Sequence, residues 1–227
     1  MMAAHNRGIR ALVFDMDGLL VDSEGLAAMA LERFLAEHGR TMVPGTMERT
    51  LGRRLPEAMA VIAEDYELAG DLPDLVAAYD HLRLEALRGN VRPMPGAPEI
   101  VRWARDRGLK IALATSSLRT HADLSLTEAG LAGLFDAEAT GAEVERGKPE
   151  PDIFLLAAER LGVEPAACAV LEDAPAGLAA AAAAGMVPVW VPNANTRDLS
   201  SPVEVAVRCD DLFAARGWLA DQVADDL

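Results

Sequence analysis

The sequence predicts an α/β fold, a doubly wound parallel sheet with a small all-helical unit inserted after its first strand. Three observations carry that prediction. An apolar run near the start of the chain, Ile9, Ala11, Leu12, Val13 and Phe14, reads as a buried parallel strand. The stretch from about 25 to 90 has helical spacing and no convincing strand. Beyond it, strand and helix signals alternate, and strands separated by helices call for right-handed parallel crossovers.

Taken in order, residues 26–38 place Ala27, Ala30, Leu31, Phe34 and Leu35 on one face, with Glu32, Arg33 and Glu37 opposite and Gly39 at the stop. Residues 56–68 and 74–88 are helical as well. Arg92-Pro93-Met94-Pro95-Gly96 then punctuates the chain. Strands follow at 109–114, 135–139, 168–171 and 187–191, with helices at 120–130, 151–161 and 175–184. Pro188 marks the last strand as an edge or an irregular start. The alanines of 179–184 let their helix pack closely on the sheet. The expected organisation is therefore a Rossmann-like core of residues 1–20 and 91–227, with a helical cap of residues 21–90. Its two crossings, near Val21-Asp22 and near Arg92-Pro93, are the expected hinges.

Composition narrows the function. Of 227 residues, 51% are hydrophobic, enough for a packed core and too many for a disordered chain. The 36 acidic residues outnumber the 21 basic ones, and the net charge of −15 argues against a nucleic-acid partner or an anionic membrane surface. A small anionic substrate is still open, because local cations and a metal outweigh a global field. Cys168 and Cys209 give no disulfide framework, and Cys168 reads as a core filler. No stretch is long enough to span a membrane, and residues 1–8 lack the apolar middle of a signal peptide. A cytoplasmic, monomeric protein is expected.

Chemistry enters at the strand ends. Asp15 and Asp17 directly follow the first apolar run, and Gly18 then lets the backbone turn away. Two carboxylates at a buried strand end are costly unless a cation or a proton compensates them. Thr115-Ser116-Ser117 follows the second strand, Lys148-Pro149 lies in a loop before a helix, and Glu172-Asp173 follows the strand at 168–171. In an open parallel sheet these groups converge on one edge. Together they suit phosphoryl transfer. Asp15, Glu172 and Asp173 offer hard oxygens to Mg2+. Asp15 is the candidate nucleophile and Asp17 the candidate acid/base. Thr115, nearby backbone N–H groups and Lys148 would neutralise phosphoryl charge, and Lys148 would also keep Asp15 ionised. Ser116 belongs to the same phosphoryl-binding cluster.

This set, Asp15-Met16-Asp17-Gly18, Thr115-Ser116, Lys148-Pro149 and Glu172-Asp173, resembles the four motifs of the haloacid dehalogenase-like hydrolases in order and type. The resemblance spans essentially the whole chain. It implies a phosphoaspartate on Asp15, acid/base work by Asp17 with its backbone carbonyl on magnesium, and metal binding by Glu172 and Asp173. The strings FDMDGLLVDSE, ALATSS, GKPEPDIF and LEDAPAGLAAAAAAGM are similar to the branch holding pseudouridine 5′-phosphatase, hexitol-phosphate phosphatases and β-phosphoglucomutase. Dehalogenases of the superfamily usually lack the second aspartate, so Asp17 speaks against carbon–halogen chemistry. β-Phosphoglucomutases carry a cap histidine where this chain has Ala27, which favours hydrolysis over phosphomutase action. The resemblance thus implies a phosphatase acting on a small phosphorylated metabolite. Arg53 and Arg54, after Thr50-Leu51-Gly52, fall where the cap loop of that family faces the site, and either binds a second anionic group or is a solvated charge. Ser117, Glu24 and Asp22 read as caps or turn residues. His38 and His81 read as surface or capping residues, and Glu143 and Glu145 as solvated charges.

Overall fold

The computed structural model describes residues 8–223; the expected core residues 1–7 and 224–227 lie outside the described ones. β1 (Ala11–Phe14) is buried along its whole length, as its uninterrupted apolar run requires. It pairs in parallel with β2 (Lys110–Thr115) on one side and β4 (Cys168–Glu172) on the other. β3 (Ala137–Thr140) lies outside β2, and β5 (Val187–Trp190) and β6 (Val207–Arg208) lie beyond β4. The sheet order is β3-β2-β1-β4-β5-β6. The chain thus works outward from β1 on one side, then crosses to β4 on the other. That reversal opens a crevice at the carboxyl ends of β1 and β4, where α/β sheets bind ligands.

Alternate residues of the strands feed two layers. Leu12, Phe14, Ile111, Leu113 and Leu171 pack with α5 (Ala97–Asp106), α6 (Arg119–Glu128) and α9 (Leu212–Ala220). Ala11, Val13, Ala112, Ala114 and Val170 face α7 (Asp152–Leu161) and α8 (Pro175–Ala183), where Ala180 and Ala181 allow close approach. Three helices or strands packed with the sheet go beyond the predicted set. Ile100, Val101 and Ala104 bury one face of α5, β6 has two residues, and α9 is capped by Asp211, whose carboxylate accepts from the Ala214 N–H at 2.8 Å. β6 also removes one of the two readings of Pro188, the edge strand. β5 is an inner strand, and Pro188 is tolerated because its carbonyl accepts from Ala206 at 2.9 Å on the β6 side. The N–H it lacks would face that same side, one step before β6 begins to pair.

Between β1 and α5 the chain forms α1 (Glu24–Glu37), α2 (Thr46–Thr50), α3 (Leu55–Asp65) and α4 (Leu72–Leu87). Their apolar faces share a separate cluster: Leu31, Phe34 and Leu35 of α1, Met59 and Ile62 of α3, and Tyr79 and Leu82 of α4. The two chain crossings run side by side, tied by Asp22 N–H to Arg92 carbonyl and Met94 N–H to Leu20 carbonyl, both 2.9 Å. Among the described residues no helix is long and apolar enough to cross a membrane.

Phe34 is fully buried, with its ring centroid 5.6 Å from that of Tyr79. Phe34→Ala leaves a cavity in the helical cluster, with an expected loss of about 3–5 kcal/mol measured by urea unfolding.

Candidate active site

The register Phe14↔Leu171 sets Asp15 beside Glu172, and the Asp15 N–H continues the ladder to the Leu171 carbonyl at 3.1 Å. Lys148, on the loop between β3 and α7, reaches between them. Its Nζ donates to Asp15 Oδ1 and Glu172 Oε1, each at 2.6 Å, and to the Ala114 carbonyl at 3.3 Å. All three ammonium donors are thereby used. The Phe154 ring lies 4.9 Å from the same nitrogen. Burial opposes charge on Lys148, but Asp15 and Glu172 outweigh it and hold the ammonium above its ordinary range. Of the two partners expected for Lys148, Asp15 is the one it touches.

Asp17 sits differently. Its Oδ1 accepts from Ser23 at 2.5 Å, and its Oδ2 accepts from Ser117 at 2.7 Å and, at a long 3.4 Å, from Thr115. Sequence reasoning assigned Ser117 to turn chemistry and passed over Ser23; both orient an acidic side chain. Gly18 is required here on two counts. Its φ is +81°, and a Cβ would lie 2.6 Å from Asn193 Nδ2 and 2.8 Å from Asp173 Oδ2. Asn193, also unforeseen, donates to Asp173 Oδ2 at 2.9 Å and to the Gly18 carbonyl at 3.1 Å.

These groups open on one cavity, lined on the sheet side by Asp15, Asp17, Ser116, Glu172 and Asp173 and on the helical side by Ala27, Arg53, Tyr79 and Arg83. Glu24, expected as a cap, lines it too and accepts from Asn195 at 2.6 Å. Ser116 donates to the Gly52 carbonyl at 2.8 Å, joining the sheet edge to the loop before α3. Thr115 is fully buried and does not reach the wall. The adjacent arginines part company. Arg53 is on the wall, with Nε on the Arg49 carbonyl at 3.2 Å. Arg54 turns away, pairing with Glu57 and donating to the Val144 carbonyl at 2.9 Å. Glu143 is no free solvated charge: it pairs with Arg119 and Arg160, and the bonds from Arg160 and Thr140 hold its carboxyl down to about 2.

A cation fits the floor of this cavity. Oxygens of Asp15, Glu172 and Asp173 lie within 4.8 Å of one another, all buried. Burial pushes the Asp15 carboxyl up to about 8 against the pull of Lys148, with Glu172 and Asp17 adding to the rise. Burial, then Glu172 and Asp15, likewise raise Asp173 well above the carboxylate range. Three converging acids with one ammonium leave negative charge that a hard divalent ion neutralises. The Asp17 side chain is not part of this convergence.

Residues 9–185 match the family described as haloacid dehalogenase-like hydrolase. The chain belongs to that family. It is 37% identical over 193 residues to the probable pseudouridine-5′-phosphatase of Drosophila melanogaster, covering 82% of this chain and 83% of that protein. It is 30% identical over 182 residues to the phosphorylated carbohydrates phosphatase of Thermotoga maritima, covering 80% and 84%. Among solved structures, CbbY from Rhodobacter sphaeroides in complex with phosphate superposes with a TM-score of 0.83 at 26% identity, over 94% of this chain and 99% of that one. These likenesses meet the expectation of an enzyme of the phosphatase class and of an α/β fold of this family.

The Lys148–Glu172 pair leaves no room behind it. A Cβ at Gly177 of α8 would fall 1.7 Å from Glu172 Oε1. Gly177→Ala must therefore displace a pinned carboxylate, with an expected cost of about 3–5 kcal/mol, that of breaking a buried ion pair. Gly217→Ala, in α9 with open space around it, is expected to stabilise by roughly 0.5–1 kcal/mol. Chemical denaturation of both variants reads the contrast.

Proposed function

We propose that this chain is a Mg2+-dependent phosphatase that hydrolyses a small phosphomonoester, a sugar phosphate or a nucleoside monophosphate, through a phosphoaspartate on Asp15. The observation that carries the reading is the pairing of two unlike carboxylates on one cavity. Asp15 has one oxygen fixed by a buried ammonium, while Asp17 is fixed by hydroxyls.

With Oδ1 held by Lys148, Asp15 offers Oδ2 to phosphorus, forming an O–P bond as the substrate's ester O–P bond breaks. Asp17, oriented by Ser23 and Ser117, gives a proton to the leaving alkoxide and then takes one from the water that cleaves the phosphoaspartate. Asp15, Glu172 and Asp173, with the Asp17 carbonyl, would hold the metal, which neutralises phosphoryl charge when bound. Backbone N–H groups around Ser116, joined by its hydroxyl once that leaves the Gly52 carbonyl, complete the neutralisation, and Thr115 Oγ1 supports Ser117 by accepting from the Ser117 N–H at 3.0 Å. Ala27 on the cavity wall supports hydrolysis over phosphomutase action, since no imidazole stands there to manage a sugar hydroxyl.

The helices of residues 21–90 act in this reading as a cap over a core of residues 1–20 and 91–227, closing about the paired crossings to exclude water. The separate apolar cluster of the helices supports that division. A cytoplasmic monomer completes the picture. Both cysteines are buried and free, and the exposed large apolar side chains Met29, Val43, Leu72, Leu155 and Phe213 come from separate segments.

Release of inorganic phosphate from a panel of sugar phosphates, polyol phosphates and nucleoside monophosphates, pseudouridine 5′-phosphate included, tests the proposal. Asp15→Asn is expected to abolish turnover. Asp17→Asn is expected to slow it by about two to four orders of magnitude, the range of lost acid/base help. Chelation by EDTA should silence the enzyme and Mg2+ restore it; full activity in EDTA would overturn the metal assignment.

A further inference from the structure

We infer that Asn193 is a positioning residue for the divalent ion, its side-chain amide holding the Asp173 carboxylate in place for coordination. This rests on the phosphatase reading and its metal site, and it adds a residue outside the set of ligands.

Asp173 follows β4 and is 1% exposed. Its two partners in the acidic cluster are well held. Asp15 meets Lys148, and Glu172 meets Lys148 and also accepts from the Ala174 N–H at 2.9 Å. Among the described residues the Asp173 carboxylate has one hydrogen-bond donor, Asn193 Nδ2 at 2.9 Å. The last torsion of an aspartate is broad, so a carboxylate left unheld must be ordered by the ion, which weakens binding.

The chain leaving β5 supplies this donor in one orientation. The Val191 N–H continues the ladder to the Glu172 carbonyl at 2.8 Å, and Trp190 Nε1 donates to the Asp173 carbonyl at 3.1 Å. Asn193 comes two residues after Val191 and is buried. Its Oδ1 accepts from the Asn195 N–H at 2.8 Å, a side-chain turn that accounts for the oxygen alone. The amide nitrogen therefore faces Asp173 Oδ2 and, at 3.1 Å, the Gly18 carbonyl, and both of its hydrogens are used. A turn needs neither of those bonds. Gly18 clears the way for them, since a Cβ there would lie 2.6 Å from Asn193 Nδ2. Asp173 is thus tied by its backbone to Trp190 and by its side chain to Asn193, which is itself tied to the turn after Asp17. A hydrogen bond from a fixed loop to a ligating carboxylate sets its orientation before the ion arrives.

The test is a calorimetric titration of the whole protein with Mn2+. Asn193→Ser keeps an oxygen for the Asn195 N–H, as serine does in turns, but falls short of Asp173. Asn193→Leu fills the space without a donor. Each is expected to weaken Mn2+ binding by about 10- to 100-fold, the usual effect of losing a hydrogen-bond partner of a ligand. Thr196→Val removes the acceptor of the Asn193 N–H, at 2.9 Å, and loosens the same loop with the amide left in place. It is expected to bind Mn2+ as the wild type does. Urea unfolding in EDTA reads any loss of fold separately. Unchanged affinity in either folded Asn193 variant, or an equal loss in Thr196→Val, makes Asn193 a loop staple and overturns the inference. If the wild type binds no Mn2+, the metal assignment falls and the inference with it. Mn2+ affinities that change as expected, with no phosphate released from any substrate, uphold the inference while the phosphatase reading fails.

Discussion

One buried ammonium organises the active end of this protein. Lys148 Nζ touches Asp15 after β1, the Ala114 carbonyl in β2 and Glu172 at the end of β4, so a single charge ties three strands at their carboxyl ends. The contact is expensive to desolvate and more expensive to break, because either acid alone would be a buried unpaired charge. The loop from β3 to α7 is therefore fixed by electrostatics at its far end, while α7 packs its apolar face beneath the sheet. The Phe154 ring behind the ammonium closes off water.

From that anchor the site divides its labour by chemistry. Acids and hydroxyls collect at the sheet edge, where backbone geometry is rigid and groups two residues apart reach different environments. Asp15 meets a cation, and Asp17 meets three hydroxyls. Of the cations that line the cavity from the helical side, Arg53 donates to the Arg49 carbonyl. The net charge of −15 says little about what this cavity attracts, because arginines as well as acids line it.

Much of this was legible in the chain. The strand alternation and the Asp15/Asp17 pair announce themselves because an apolar run ending in two acids is local and has few bland explanations. What stayed hidden is long-range or weakly patterned. Ser23 and Ser117 are six and 100 residues from Asp17, and serine at a turn is too common to signal a partner. Asn193 earns its place only when the chain after β5 folds back onto Gly18. Arg53 and Arg54 are indistinguishable on paper, and a capping contact with Glu57 decides which faces the cavity. β6 was invisible because two residues carry no periodicity, and its absence made Pro188 look like an edge.

Ser23 carries one further implication. It is the residue at the start of α1, where a serine ordinarily caps the first turn, yet its hydroxyl makes no cap bond and goes to Asp17 instead. A side-chain cap is worth about 0.5–2 kcal/mol, so α1 begins with that stabilisation forgone for the sake of a correctly aimed acid. Efforts to make this protein more heat-resistant by ideal capping would meet a conflict at this one position. Any substitution that turns the side chain toward the helix turns it away from the Asp17 carboxylate.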